Sequence, residues 1–567
     1  MNRRLGDRGY LDTNLWVPKR FFNVEGVKNA LTFPYVEGKD KTPAELRLCV
    51  ETEQHLVVPR EFWPHGDLGF EIVDCRPRSY PKSPVTSSIK LDHKINNAGQ
   101  VIPTGDTVQR EALDALLAAR GGILQLACGK GKTVIFLEAA ARMQVPTLIV
   151  VDNTQLLSQW QKSISTFLKV PGGVGLIQGP SNDWKKWVVM ATYQTLAARA
   201  MNGEITEEMR QWFGLIGWDE AHHVNAPTFS RSADMFYGKR IGLTATPERD
   251  DGLHIIHEFN FGRVFYRNLK QDLVPRISFV WTGLSLDEND HEVRDATRDT
   301  TDELHLSKLA SFFGTWEQRL EHLSQIIEER AKQGRKVLVL SNSVAELVNL
   351  LARRINITEK ITDISVRPQD VGETLEPIEL GKNHAKTLEE AVRALEQLKQ
   401  LSPAERQKLD GFKQALKHHE IFLKMTKLLR QRQREFIDRI VDKIQKSDSG
   451  LMIYKVKAKE RMRLLEEKQV VFAIMKYGKE GLDKPTLETV LCCEPVSSKN
   501  VLQQVMGRPL RYKEGKQEPE IIIVEDDIAP IRAICAKMRQ HLRRWPIEDG
   551  GPFKYEQVGY PPGRRSK

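Results

Sequence analysis

Apolar positions along the chain gather in short continuous runs, with amphipathic stretches of helical period between them. Five runs read as strands: Gly122–Leu126, Thr147–Val151, Trp187–Ala191, Leu215–Trp218 and Arg240–Leu243. Stretches such as Leu156–Phe167 read as the helices between them. This alternation predicts an α/β architecture, a parallel sheet with helices on both faces. A second α/β pattern starts near Val274-Pro275, with strand runs at Lys336–Leu340, Val470–Ile474, Thr489–Cys493 and Ile521–Val524. It is interrupted from about residue 356 to 449, where Thr387 to Gln445 reads as long amphipathic helices broken at Ser402-Pro403, a helical hairpin. The first 97 residues hold strand-like pieces, Arg47–Val50 and His55–Val58, and end in a polar, turn-rich linker, Pro81 to Asn97. The expected organisation is an α+β N-terminal block (1–97), two parallel-sheet lobes (98–272 and 273–545), a helical insertion in the second (about 356–449), and a basic tail (546–567) ending in a disordered Pro561–Lys567.

Composition changes this picture little. A chain of 567 residues with 40% hydrophobic content can build three or four cores. The net charge of +10 fits a polyanionic partner without requiring one. Cysteines at 49, 75, 128, 492, 493 and 535 form no CxxC pair, so neither a zinc knuckle nor a disulfide framework is expected, and reduced thiols of a cytosolic protein are the plain reading. Met1-Asn-Arg-Arg is followed by polar residues and no apolar run is long enough for a bilayer, so no secretory signal and no membrane partner are expected. The first block interleaves Trp16, Lys19, Arg20, Phe21, Phe22, Arg60, Phe62 and Trp63, which suits either a small core with snorkelling cations or a platform that stacks nucleic-acid bases.

Candidate chemistry starts after the first strand of the first lobe. Ala127-Cys128-Gly129-Lys130-Gly131-Lys132-Thr133 precedes a helical pattern from Val134 to Met143. Gly129 and Gly131 free the backbone to wrap phosphate, with Cys128 and Lys130 completing the loop. Lys132 reaches β/γ oxygens and Thr133 offers a hydroxyl to Mg²⁺. Leu126 stands where the strict phosphate-loop pattern has its first glycine. The acidic half follows Phe213–Trp218 as Asp219-Glu220-Ala221-His222. Asp219 would hold Mg²⁺, directly or through water, and Glu220 would orient and deprotonate an attacking water. ATP and Mg²⁺ are therefore the expected cofactors. His222 is read as coupling the lobes by hydrogen bonding rather than ligating metal.

Further motifs follow in order. Gln109, in Asp106-Thr-Val-Gln109-Arg-Glu-Ala112, resembles a glutamine that reads the adenine edge, or is an ordinary helix residue. Thr154 and Gln155 after one strand, and Thr192 and Gln194 after the next, suit either phosphate contacts with a nucleic-acid strand or plain helix capping. Thr244 and Thr246 place two hydroxyls where the following strand ends, able to couple the nucleotide site to a nucleic-acid track, with Thr246 on the track. In the second lobe, Asp483 lies in the turn Glu480–Pro485 and is assigned to the nucleotide site. Gln504-Val-Met-Gly507-Arg508-Pro-Leu-Arg511 puts two guanidiniums three residues apart, on one helix face, where they would act with Gln504 as fingers on a γ-phosphate.

As an ordered set these residues resemble superfamily 2 helicases, over residues 105 to about 530 apart from the insertion. Thr244–Gly252 and Asp219–Phe229 are similar to the branch typified by XPB, UvsW and RadD. Tyr10–Lys19, Ala30–Phe33 and Leu56–Phe62 resemble the N-terminal domain of helicases encoded by tailed phages. The resemblance implies two RecA-like lobes and ATP-driven unwinding or branch migration of branched or forked DNA in repair or recombination. It also implies a cytoplasmic location in a bacterial or phage-infected cell. Two departures stand out: Ile474 where the family has a hydroxyl residue, and an insertion larger than the family's, with a basic run from Lys424 to Arg439. A motor subunit of a restriction or defence complex, and an ATP-gated clamp that does not translocate, are the competing expectations, and RNA stays open as the substrate.

Overall fold

The computed structural model describes residues 8–559 apart from 38–41, 64–68, 96–100, 104, 128, 222–232, 246–254, 271–272, 300–301, 381, 398–401, 446, 454–455, 457, 480–485, 508, 510–514 and 547–550. Two large sheets dominate. The first runs in the order Ser181–Asn182, Gly175–Gln178, Val188–Thr192, Thr147–Val151, Leu215–Asp219, Lys239–Thr244, Gly122–Leu126, Val264–Asn268, and is parallel except for the short hairpin at its start. Its central strands are continuous apolar runs because both faces are covered: Leu124, Ile149 and Leu243 face one helical layer, and Ile123, Leu148 and Ile216 the other. The second sheet orders Ser449–Met452, Val470–Ile474, Val337–Ser341, Thr489–Cys492, Glu520–Glu525, Arg276–Trp281 and Tyr555–Val558, all parallel. The expected pair of parallel-sheet α/β lobes is the fold observed.

Three boundaries differ from expectation. Tyr555–Val558, placed in a tail, is an edge strand paired with Arg276–Trp281, and Phe553 packs buried against Trp545. Only 560–567 of that stretch lie outside the described residues at its end. The segment read as a linker is stitched to the first lobe: Thr86–Ser87 pairs with Leu168–Lys169, and Ser83 N donates to the Gln144 carbonyl at 2.8 Å. The strand expected at Arg47–Val50 is divided between Thr42–Arg47 and Val50–Glu51.

The N-terminal block is a five-stranded sheet around Leu15, Val17, Leu31, Leu56 and Val58. Its aromatics are largely structural. Phe22, Phe62 and Trp63 pack on one another, and Phe62 meets Phe259 of the first lobe at 4.9 Å between ring centres. Among the described residues of this block Phe21 is the one large aromatic that is exposed, with the Arg20 guanidinium 4.6 Å from its ring centre. Two fully buried arginines join block to lobe. Arg60 donates to the carbonyls of Tyr237 and Gly238 at 3.0 and 3.1 Å, and Arg240 to those of Thr13 and Phe236 at 2.6 and 3.0 Å.

The insertion is a hairpin of helices Lys382–Glu396 and Pro403–Ile444, the second 42 residues long. Ser402 and Glu405 form a reciprocal capping box and Pro403 starts the helix, so the break read from the sequence is the long helix's own start signal. Its C-terminal end is core: Phe436, Ile437, Ile440 and Ile444 are buried in the second lobe. Across that lobe, the buried Arg319 binds Glu346, Asp526 and the Cys493 carbonyl, tying the C-terminal ends of two strands to the helix Val344–Arg354. Glu494 lies beside this network and is pushed up to about 8 by burial and then by Glu346.

Candidate active site and nucleic-acid face

The buried strand Gly122–Leu126 runs into the phosphate loop. Gly129 and Gly131 have φ of 87° and 89°, a left-handed conformation that costs any other residue free energy. A Cβ at Gly131 would sit 2.6 Å from the Gln109 amide nitrogen, so loop and Gln109 are in close approach. Gln109 Nε2 donates to the Lys130 carbonyl at 3.4 Å, and its Oε1 accepts from Asp92 N at 2.8 Å. Asp92 answers by accepting from Gln109 N at 3.0 Å. The helix Lys132–Met143 begins at the loop, bringing unpaired N–H groups to it. Lys132 Nζ lies 3.4 Å from the Leu126 carbonyl, and Lys130 pairs with Asp106 at 3.1 Å.

The acidic pair ends a strand one removed from the phosphate-loop strand; both flank Lys239–Thr244. Asp219 Oδ2 accepts from Trp160 Nε1 at 2.7 Å, and Oδ1 from Glu220 N at 3.1 Å. Burial and then the Glu220 charge push Asp219 up to about 6, against the opposing indole bond and the charge of Lys132. Both halves follow the C-terminal ends of strands that pair in parallel with Lys239–Thr244, so they lie on one edge of the sheet. Glu220 has φ of 48°, a conformation disfavoured for this residue type and frequent at functional sites. Thr133 and Asp219 offer a hydroxyl and a carboxylate, an all-oxygen set suited to Mg²⁺, whose other ligands are ordinarily water and phosphate oxygens. Among the described residues no cluster of three or more His, Cys, Asp or Glu could hold a metal.

The polar ends of neighbouring strands divide in two. Thr154 is exposed at the start of the helix Thr154–Phe167, which Asn153 caps by accepting from Leu156 N at 3.1 Å. Gln194 is exposed and donates to the Asp152 carbonyl at 2.7 Å, joining the two segments. Thr192 takes the capping alternative: it is buried and its hydroxyl caps the next helix through Thr195 N at 3.4 Å. Thr244 is likewise buried, in register with Gln125. The next carbonyl, Ala245, accepts from Gln125 within the lobe and from Gln503 of the second lobe, each at 3.4 Å. Gln503 and Gln504 share the helix Lys499–Gly507, so the segment leading to the expected arginine fingers abuts the first lobe. Cys128, His222, Thr246, Asp483, Arg508, Arg511 and the Gln155 side chain lie outside the described residues.

Trp160 and Asp92 were not singled out from the sequence. Trp160 follows Leu157 by three and precedes Ile164 by four, all buried, so spacing marks an inward face but not the carboxylate it meets. Asp92 sits in a stretch whose polarity reads as linker.

Residues 104–249 match the family described as type III restriction enzyme, res subunit. The DNA 3'-5' translocase XPB2 of Sulfurisphaera tokodaii is 37% identical over 169 residues, 30% of this chain and 36% of that protein. The DNA 3'-5' helicase XPB of Mycobacterium tuberculosis is 35% identical over 149 residues, 25% of this chain and 27% of that protein. The chain thus spans about a third of the length of these curated relatives. The crystal structure of T4 UvsW aligns with 97% of this chain and 99% of its own at 14% identity and a TM-score of 0.33, too loose a likeness to argue from. No helix among the described residues is long and apolar enough to cross a membrane.

Proposed function

We propose that this chain, similar to DNA 3'-5' translocases and helicases of the XPB type, is an ATP-driven motor of the superfamily 2 kind that moves along and separates DNA strands, with branched or forked DNA as its substrate. The observation that carries the reading is the joined site: the phosphate loop and the acidic pair leave the same edge of one parallel sheet, on the two strands that flank Lys239–Thr244. Lys132 and the loop amides bind and orient the triphosphate, while Thr133 and Asp219 would hold Mg²⁺, which when bound neutralises phosphate charge. Glu220 takes the proton of the attacking water at its carboxylate. Arg508 and Arg511, following the helix that touches Ala245, would reach the γ-phosphate only with the lobes together. Hydrolysis in this scheme depends on closure, and closure on what both lobes grip.

Contacts to phosphates carry no sequence information, so binding should tolerate any sequence and weaken with salt. Lys132→Ala and Glu220→Gln should each abolish ATP turnover while Glu220→Gln still binds ATP; robust turnover by Glu220→Gln refutes the base assignment. Arg508→Ala should lower turnover at least tenfold with modest loss of ATP affinity. ATPase stimulation by single-stranded DNA, duplex, four-way junction and RNA tests the substrate, and triplex displacement tests movement. A motor subunit of a restriction complex is a second reading, favoured by the family matched over 104–249. Co-purification of a nuclease would support it.

A further inference from the structure

We infer that Trp160 is a positioning residue that ties the metal-binding carboxylate of the ATP site to the face where DNA is held. This rests on the motor reading above. The indole donates to Asp219 Oδ2 at 2.7 Å, the shorter of the two bonds recorded on that carboxylate. With Oδ2 held by the indole and Oδ1 by Glu220 N, the carboxylate cannot turn without breaking one of them. Trp160 is 2% exposed and stands edge-on to Phe136 of the phosphate-loop helix, ring centres 5.9 Å apart. One side chain therefore touches the acidic pair and the helix that starts at the phosphates, and belongs to a third element, the helix Thr154–Phe167.

That third element matters because its other end is the candidate DNA face. Thr154 lies exposed at its first turn, and Gln194 braces the turn from the neighbouring strand end. Six residues at about 1.5 Å each put Trp160 roughly 9 Å along the same rigid helix. A shift of about 1 Å in that helix takes a 2.7 Å bond out of hydrogen-bonding range. Burial of an indole does not by itself dictate such a partner: Trp218, equally buried and adjacent to Asp219, leaves its Nε1 without a hydrogen bond. The Trp160 bond is thus a specific link between helix and carboxylate, in addition to the packing of its ring.

The test separates the N–H from the ring. Trp160→Phe removes the donor, and the benzothienyl isostere at 160, with sulfur in place of N–H, removes it while keeping the shape should Trp160→Phe fold poorly. Mn²⁺ binding to the ADP complex is read by the electron paramagnetic resonance of free Mn²⁺, with and without a single-stranded oligonucleotide. In the wild type the oligonucleotide should shift Mn²⁺ affinity. Loss of one hydrogen bond to a charged group should weaken Mn²⁺ binding on the order of tenfold, and the oligonucleotide should no longer shift it; by linkage, Mn²⁺-ADP should cease to shift oligonucleotide affinity. Wild-type Mn²⁺ affinity in the folded isostere, or weaker affinity with the oligonucleotide shift intact, overturns the inference. A wild type that hydrolyses no ATP with any nucleic acid sinks the motor reading instead, so the two failures are distinct.

Discussion

At Asp219 and Glu220, two carboxylates adjacent in sequence act on each other's charge, and burial adds to the effect at Asp219. Asp219 is raised to about 6 by burial and by the Glu220 charge, above the roughly 4 of an aspartate in an unfolded chain. The folded protein therefore holds this proton more tightly than the unfolded one. The stability this contributes is present below pH ~4 and lost as pH rises through about 6. Removing the Glu220 charge narrows the gap between the two states. Glu220→Gln should melt about 1–3 °C above wild type at pH 7 without divalent cation, and the gain should shrink toward pH 5. Equal differences at the two pH values would refute this account of Asp219. The acidic pair and the phosphate loop were legible because each is a contiguous string at a strand end. Trp160 was not, because its acceptor is 59 residues away and only packing brings them together. Thr192 was ambiguous for a related reason: a hydroxyl before a helix looks the same in sequence whether it faces phosphate or its own helix.

Whole elements were easier to read. Period and length alone located most interior strands of both sheets, with Arg276–Trp281 among the exceptions, and the long helices of the insertion, since strands buried on both faces must be continuous apolar runs. Edge elements failed, as with Tyr555–Val558, whose half-exposed, polar composition carries no such run. The basic insertion illustrates what charge counting omits. Lys424, Arg432 and Arg439 pair with Glu373, Asp370 and Glu359. Lys427, Arg430 and Arg434 are exposed, on one helical face, and carry no ion pair among the described residues. If this face meets a DNA arm, Lys427→Glu, Arg430→Glu and Arg434→Glu together should weaken duplex binding and lower the slope of log affinity against log salt by about 2–3. An unchanged slope argues against the contact. Excising the insertion to residue 445 is a poorer experiment, because it would strip Phe436, Ile440 and Ile444 from the core.

At the scale of the molecule, the N-terminal block and the first lobe share buried polar bonds as well as apolar surface. Arg60→Met would leave the Tyr237 and Gly238 carbonyls without their donor, at a cost of about 2–4 kcal/mol. Limited proteolysis should then cut between block and lobe well before the wild type is cut. A variant as resistant as wild type would mean that the apolar contacts around Phe259 suffice. In the second lobe, the long helix is rooted at Phe436–Ile444, and from Phe436 back to Pro403 it extends about 50 Å at 1.5 Å per residue. A lobe rotation of about 10°, within the range of hinge closures, would carry the far end through about 10 Å, while atoms near the root move only an ångström or two. The hairpin is therefore a lever whose short arm is fixed in the second lobe. Whatever it touches at its tip is displaced several times farther than the residues packed around its root.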